Sequence, residues 1–345
     1  MQGTMRAIAK TAAAPGAEMI RVPLPPVPRH HVLIRVTATA ICGTDIHIYN
    51  WDPWAQGRIK VPRIFGHEFC GEVVELGEDV SRVQLGDFVS GETHVTCGHC
   101  YYCRSGLGHI CQEVEILGVD RDGCFAEYVV LPEHNVWKMD RSIPVEVAAI
   151  QDPLGNAIHT ALAQELIGNT VEVIGCGPIG LCAIAIARKA GALKIYAADI
   201  NEFRLGLAKR MGADVTINTQ RERLDEVILR ETQGFGVDVM LEMSGSAEAI
   251  RQGFNALRKG GEAALLGIPS RPMELDVANA LVFKGATVRG INGRKMFQTW
   301  YKAMDLLAGG LDITPVITCR FKLDEFEQAF ALARSGEAGK IMLYP

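Results

Sequence analysis

Two rhythms of apolar and polar positions divide the chain. Up to about residue 150, short β-like runs recur between Gly and Pro: HVLIRVTATAI, GEVVELG, DFVSGETHV and AEYVVL. They lie close together without long helical spacers, the pattern of an antiparallel or mixed β domain. From about residue 153, apolar strands alternate with helical stretches: VEVIG, PIGLCAIAIARKAG, KIYAADI, EFRLGLAKRMG and DVTIN. The alternation continues through LDEVILRETQG, VDVMLEMSG, AEAIRQGFNALRKGG, EAALLGI and ATVRGI. Such repetition predicts a doubly wound parallel sheet with helices on both faces. Six strands complete it. The tail reads as two helices (MFQTWYKAMDLLAGG and LDEFEQAFALARSG) and a last strand, GKIMLYP. The expected architecture is α/β, with a β-rich domain over 1–153, a parallel-sheet domain over 154–294, and 295–345 returning to the first domain.

The parallel-sheet segment opens on VEVIGCGPIG (171–180), with Gly175, Gly177 and Gly180 in G-x-G-x-x-G register. In a chain with 36 glycines that spacing is weak evidence alone, and a glycine turn of another α/β protein is the alternative. Its place between an apolar strand and a helix makes it a dinucleotide fingerprint of the Rossmann type. Gly175 allows the tight turn, Gly177 lets the backbone approach a pyrophosphate, and Gly180 lets helix and strand close up. The helix N-terminus then offers unpaired N–H groups to the phosphates. The next strand ends at Asp199, where a carboxylate binds both ribose hydroxyls and favours NAD over NADP. Arg204 either covers the adenine side or admits a 2′-phosphate. Glu172 breaks the pattern, a charge inside a strand expected to be buried.

Composition narrows the function. A chain of 345 residues exceeds what one core serves, so two domains are expected. Its 48% hydrophobic and 22% charged residues are ordinary for a globular protein. A net charge of −5 gives no electrostatic case for nucleic acid or an anionic membrane. The longest apolar stretch falls well short of the roughly 20 residues of a membrane span. The first residues lack the apolar centre of an export signal, so a cytoplasmic location is expected.

Ten cysteines in that setting argue for metal rather than disulfides. Cys97, Cys100, Cys103 and Cys111 are spaced C-x2-C-x2-C-x7-C within CGHCYYCRSGLGHIC. Four thiolates so spaced close a tetrahedral zinc site and leave no position for water or substrate, which makes it a brace. Free thiols and an iron–sulfur cluster are the alternatives, although the usual cluster spacings differ. A catalytic zinc needs an open position. ICGTDIHIYNWDPW offers Cys42, Thr44 and His47; FGHEFCGEV offers His67 and Glu68; IQDPLGNAIHT offers Asp152. Singly, each has a bland explanation as core, surface or turn. Together with the four-cysteine loop and the glycine turn they favour chemistry.

Over essentially its full length the chain resembles the zinc-dependent medium-chain alcohol dehydrogenases. The resemblance rests on C-G-T-D-x-H at 42–47, G-H-E-x-x-G at 66–71, the four-cysteine loop and the glycine turn. More narrowly, HIYNWDPWAQGRIKVP (47–62), ETHVTC (92–97), ILGVDRDGCFAEYVV (116–130), DPLGNAIHT (152–160) and GINGRKMFQTWY (290–301) resemble its L-threonine-oxidising branch. That resemblance implies a GroES-like catalytic domain followed by a Rossmann domain, and two zinc ions per subunit. It implies NAD-dependent oxidation of L-threonine at the 3-hydroxyl to 2-amino-3-oxobutanoate, in a homotetramer. Cys42, His67 and Glu68 match the catalytic-zinc ligands, with Asp152 near the metal, and Thr44 and His47 match the proton relay. Ile179, Asp199, Arg204, Leu266, Gly267, Ile268, Ile291 and Asn292 match NAD-contacting positions. His94, Arg294 and Thr299 are candidates for positioning substrate or cofactor. Position 53 is Pro where an acid is expected, and position 152 is Asp where several relatives carry the longer Glu. The alternatives are a sorbitol or 2,3-butanediol dehydrogenase on the same scaffold and a non-catalytic sensor that binds zinc and NAD.

Overall fold

A computed structural model describes residues 3–345. The chain forms two units, one ending at Asp152 and resumed at Ile317–Pro345, the other spanning Pro153–Val316. The N-terminal part runs β1 (Thr4–Lys10), β2 (Glu18–Pro23), β3 (His31–Ala40), α1 (Gly43–Asn50), α2 (Pro53–Arg58), β4 (Arg63–Ile64), β5 (Glu68–Leu76), β6 (Phe88–Gly91), β7 (His94–Val95), α3 (Tyr101–Arg104), β8 (Glu115–Ile116), β9 (Tyr128–Pro132), β10 (Val136–Lys138) and α4 (Val145–Ala149). β3 pairs antiparallel with both β5 and β9. Flanked on two sides, most of HVLIRVTATA is buried instead of alternating. The register sets Ala40 opposite Glu68. The loop that leaves β3 with Cys42 therefore lies beside the residues that enter β5, His67 and Glu68.

After α5 (Gln151–Ala161), the second unit runs β11 (Thr170–Ile174), α6 (Pro178–Lys189), β12 (Lys194–Asp199), α7 (Glu202–Arg210), β13 (Val215–Asn218), α8 (Leu224–Glu231), β14 (Val237–Glu242), α9 (Ala247–Ala256), β15 (Leu257–Leu265), β16 (Thr287–Gly290) and α10 (Gln298–Ala308). Its six strands are all parallel, in the order β13-β12-β11-β14-β15-β16. The order reverses at β11, the switch point where a dinucleotide binds in such folds. The glycine turn follows β11 directly.

The return segment is β17 (Ile317–Lys322), α11 (Phe326–Ser335) and β18 (Lys340–Tyr344). β18 pairs antiparallel with β3, next to the end that carries Cys42. α11 brings Phe330 onto Tyr49 of α1, with stacked rings 4.4 Å apart. The return begins at 317, not at 295 as the sequence suggested. α10 stays with the parallel sheet, where Trp300 and Ala303 are buried and Lys189 of α6 donates to the Gly309 carbonyl at 2.5 Å. An apolar helix face does not announce which of two cores it joins.

Candidate metal centre and dinucleotide site

Cys42 precedes α1 in extended conformation, and its N–H donates to Asp45 Oδ2 at 2.8 Å. That bond closes the first turn and leaves the sulfur facing His67 and Glu68. One ligand atom from each of Cys42, His67 and Glu68 lies within 4.8 Å of the others. His67 and Glu68 are buried, and Glu68 Oε1 accepts from Lys340 Nζ at 2.7 Å. Glu68 Oε2 and His67 Nδ1 have no hydrogen-bond partner although fully enclosed. Asp45 Oδ1 is 3.7 Å from that nitrogen.

The charges show what the cluster lacks. Burial lifts the Glu68 carboxyl to about 7, with Lys340 working against the rise and Asp152 adding to it. Burial also opposes a charged His67, but Asp45 and Cys42 outweigh it and hold the imidazole up at about 10. Burial likewise opposes the Lys340 charge, and Glu68 and Cys42 push that ammonium above its ordinary value. Acids crowded together with orphaned oxygen and nitrogen atoms are the environment a divalent cation completes. A thiolate, an imidazole and a carboxylate suit zinc. Asp152 stands outside the close set. Its Oδ2 accepts from Thr93 Oγ1 at 3.1 Å, which turns it toward that bond. Thr44 and His47 are one turn apart on α1, and His47 is 58% exposed.

Cys97, Cys100, Cys103 and Cys111 form the other metal-capable group. Sulfur–sulfur separations of 3.5, 3.9 and 4.0 Å bracket the ~3.8 Å edge of a tetrahedron with ~2.3 Å Zn–S bonds. Backbone N–H groups of Cys103 and Gln112 hold Cys100 down at about 6. Burial and the neighbouring sulfurs push Cys103 up to about 12. A cation among the four sulfurs would favour the thiolate form of each.

In the second unit, a Cβ on Gly180 would lie 1.9 Å from the Gly175 carbonyl oxygen, so only glycine lets the helix close on the turn. Gly175 has φ of +94°. Gly177 faces open space instead: nothing lies within 4 Å of where its Cβ would be. The protein has no steric need for glycine there, whereas a phosphate laid on the backbone does. Asp199 receives the Cys176 N–H at 2.7 Å and the Asn201 N–H at 2.9 Å, which fixes its carboxylate beside a cavity of about 310 Å³. Ile200, Arg204, Thr219 and Ser244 line the same cavity. Arg204 Nε is enclosed there without a hydrogen bond. Leu266, Gly267 and Ile268 follow β15, Ile291 and Asn292 follow β16, and Ile179 opens α6, all at the carboxyl ends of the strands.

Among the substrate candidates, His94 belongs to the first unit and is held by Glu92, whose Oε1 lies 3.1 Å from Nδ1. Arg294 and Thr299 belong to the second, where both are buried against Gly155. Sequence reasoning missed Lys340, Glu92, Thr93 and Glu242. Glu242 accepts the Ser244 N–H, the Ser244 hydroxyl and the Gly245 N–H at 2.6–2.8 Å, tying down the turn beside Gly175. For Lys340 the only signal was a lysine opening an apolar strand.

Comparison with known proteins identifies the family. Residues 28–141 match the alcohol dehydrogenase GroES-like domain, and residues 178–309 match the zinc-binding dehydrogenase family. The chain is 49% identical over 346 residues to an L-threonine 3-dehydrogenase of Bacillus licheniformis, covering all of both. A zinc-binding dehydrogenase from Sinorhizobium meliloti, solved bound to NADP, superposes with a TM-score of 0.91 at 28% identity over the whole of both chains. The 2R,3R-butanediol dehydrogenase of Bacillus subtilis gives 0.88 at 28% identity, with 99% of each chain covered. With a zinc-ready cluster in one unit and a dinucleotide turn in the other, the chain belongs to the zinc-dependent medium-chain alcohol dehydrogenases, among the members similar to L-threonine 3-dehydrogenase.

Proposed function

We propose that the protein oxidises L-threonine at its 3-hydroxyl to 2-amino-3-oxobutanoate, reducing NAD. The observation that carries this reading is the Cys42–His67–Glu68 cluster, whose enclosed orphan atoms await a cation, in a chain similar end to end to L-threonine 3-dehydrogenase. A zinc ion held there would supply polarisation of the substrate hydroxyl, and a bound nicotinamide would supply the acceptor for hydride from the carbon bearing it. The chain's own residues do the rest. Cys42, His67 and Glu68 hold the metal, and Asp152, anchored by Thr93, adds negative charge beside it. Thr44 takes the hydroxyl proton as it hands its own onward, and His47 releases it to solvent. His94, Arg294 and Thr299 position substrate or cofactor.

On the cofactor side, Asp199 accepts the ribose hydroxyls, which favours NAD because a 2′-phosphate would meet like charge. Arg204 covers the adenine. The N–H groups at the start of α6 receive the pyrophosphate. Cys97, Cys100, Cys103 and Cys111 carry a second, bracing zinc, and the assembly is a homotetramer.

The test is NAD and NADP reduction with L-threonine, sorbitol and 2,3-butanediol. L-Threonine with NAD should give the highest kcat/KM. Background activity on L-threonine beside turnover of a diol would overturn the assignment and favour the second reading, for which the fold likeness to the butanediol enzyme speaks.

A further inference from the structure

α1 ends at Trp51, whose left-handed φ of 55° turns the chain back on itself. Asp52 consequently returns to the last turn of α1, and its carboxylate Oδ2 is hydrogen-bonded to Nδ1 of His47. The other oxygen, Oδ1, accepts the Ala55 N–H at 3.0 Å and so caps α2, with Pro53 at its first position. The carboxylate is thus anchored to backbone on one side and to the imidazole on the other. The Trp54 ring flanks the same imidazole, 6.0 Å away and tilted by 59°.

We infer that Asp52 is a positioning residue of the proton path, fixing the orientation and tautomer of His47. This rests on the relay reading given above. An ionised carboxylate only accepts, so the imidazole must place its proton on Nδ1 and keep Nε2 free as the acceptor. Partial burial works against that ionised form, but the Ala55 N–H and His47 outweigh it and hold the carboxyl below its ordinary value. His47 would otherwise have freedom to turn, since it is 58% exposed while Asp52 is 30% exposed. The carboxylate also stabilises the imidazolium that forms as the proton arrives. The proton travels from the substrate hydroxyl through Thr44 to Nε2 and then to water. Asp52 never carries it.

The neighbouring charged groups are committed elsewhere. Lys10 of β1 donates to the Gly16 and Tyr49 carbonyls and lies over the Trp51 ring. Arg58 of α2 pairs with Asp120, and Asp45 of α1 holds the Cys42 N–H. Asp52 is the charged side chain in contact with the His47 ring.

Asp52→Asn separates this role from capping, because the amide oxygen still caps α2 while the acceptor facing Nδ1 is lost. Asp52→Ser, another capping residue, is too short to reach the ring. Both variants should keep the thermal midpoint and the KM for NAD within about twofold. Plateau kcat on L-threonine should fall about 5- to 20-fold. The KM for L-threonine should stay within about twofold, so that the loss falls on kcat, as expected of a group that acts through the relay. In a His47→Gln background Asp52→Asn should add no further loss. An unchanged kcat in both single variants would overturn the inference, as would a full additional loss on top of His47→Gln. A His47→Gln enzyme with parental turnover sinks the relay reading itself, a different result from silent Asp52 variants beside a crippled His47→Gln.

Discussion

The two sulfur-bearing clusters are built on opposite plans. Cys97, Cys100, Cys103 and Cys111 come from one continuous loop, and their sulfurs touch each other and local backbone N–H groups: Cys97 N to Cys111 Sγ at 3.5 Å, Cys100 N to Cys97 Sγ at 3.4 Å. Three of the four are only half-buried. The Cys42 cluster has one sulfur. Its other groups come from the start of β5, with Lys340 of the last strand bonded to Glu68, and Asp45, His67, Glu68 and Lys340 are all buried. In the proposed reading, a loop that can assemble by itself saturates its metal and braces. A cluster that needs the whole unit to assemble leaves ligand atoms unsatisfied, in a place where burying charge is costly. The proposed chemistry belongs to the second plan.

The widest gap between the two should appear on removing one sulfur from each. Cys42→Ser should lower kcat about 10³-fold or more, since several kcal/mol of charge stabilisation goes with the metal. NAD affinity, followed by fluorescence titration, should change less than about threefold, because the glycine turn lies in the other unit. Cys103→Ser should do the reverse: one metal fewer per chain, a thermal midpoint lower by several degrees, and kcat near parental on the folded protein. If Cys103→Ser removed turnover while its midpoint held, the four-sulfur loop would have to be reassigned to the chemistry.

A smaller effect tests whether the Cys42 cluster depends on the returning strand. Lys340→Met leaves Glu68 enclosed without its counter-charge, which should destabilise the metal-free protein by about 3 kcal/mol in urea unfolding. Adding Glu68→Gln should recover part of that loss, because a lone buried charge is worse than none. No recovery would mean that Lys340 acts through packing alone.

Residues close in sequence were legible, and residues brought together by topology were not. The glycine turn, the four-cysteine loop and the six parallel strands follow from local spacing and period. Cys42, His67 and Glu68 come from two segments, and their meeting depends on the register that sets Ala40 opposite Glu68. Family resemblance supplied that link; periodicity did not. Lys340 lies 272 positions from Glu68 and had no pattern to mark it. The end of α9 was also misplaced. The sequence suggests a helix through Gly261, yet it stops at Ala256, where Lys284 Nζ takes the Phe254, Asn255 and Leu257 carbonyls and a strand begins. A cap supplied from thirty residues downstream cannot be read locally.

The smallest effect sharpens what an orphaned carboxylate means. Glu68 and Glu172 are both fully enclosed on strands, and each leaves oxygen without a hydrogen bond. Beside Glu68 stand a thiol and an imidazole, so its orphan oxygen belongs to a group able to hold a metal ion. Glu172, in the central strand β11, has both oxygens orphaned and lies on the apolar side shared by Tyr196 and Met240, its partners in register. Burial drives its carboxyl well above the ordinary 4.5, with Lys284 working against the rise. The folded protein therefore keeps this proton to higher pH than the unfolded chain does, and stability contributed at this position falls as pH rises above that value. Glu172→Met, which keeps the volume and removes the orphaned oxygens, should raise stability by about 1–2 kcal/mol near pH 8. It should also flatten the dependence on pH between about 5 and 8. Equal slopes for parent and variant in urea titrations would show that the Glu172 carboxyl is satisfied in solution, and enclosed orphan oxygens would then lose their value as markers of a waiting cation at Glu68 as well.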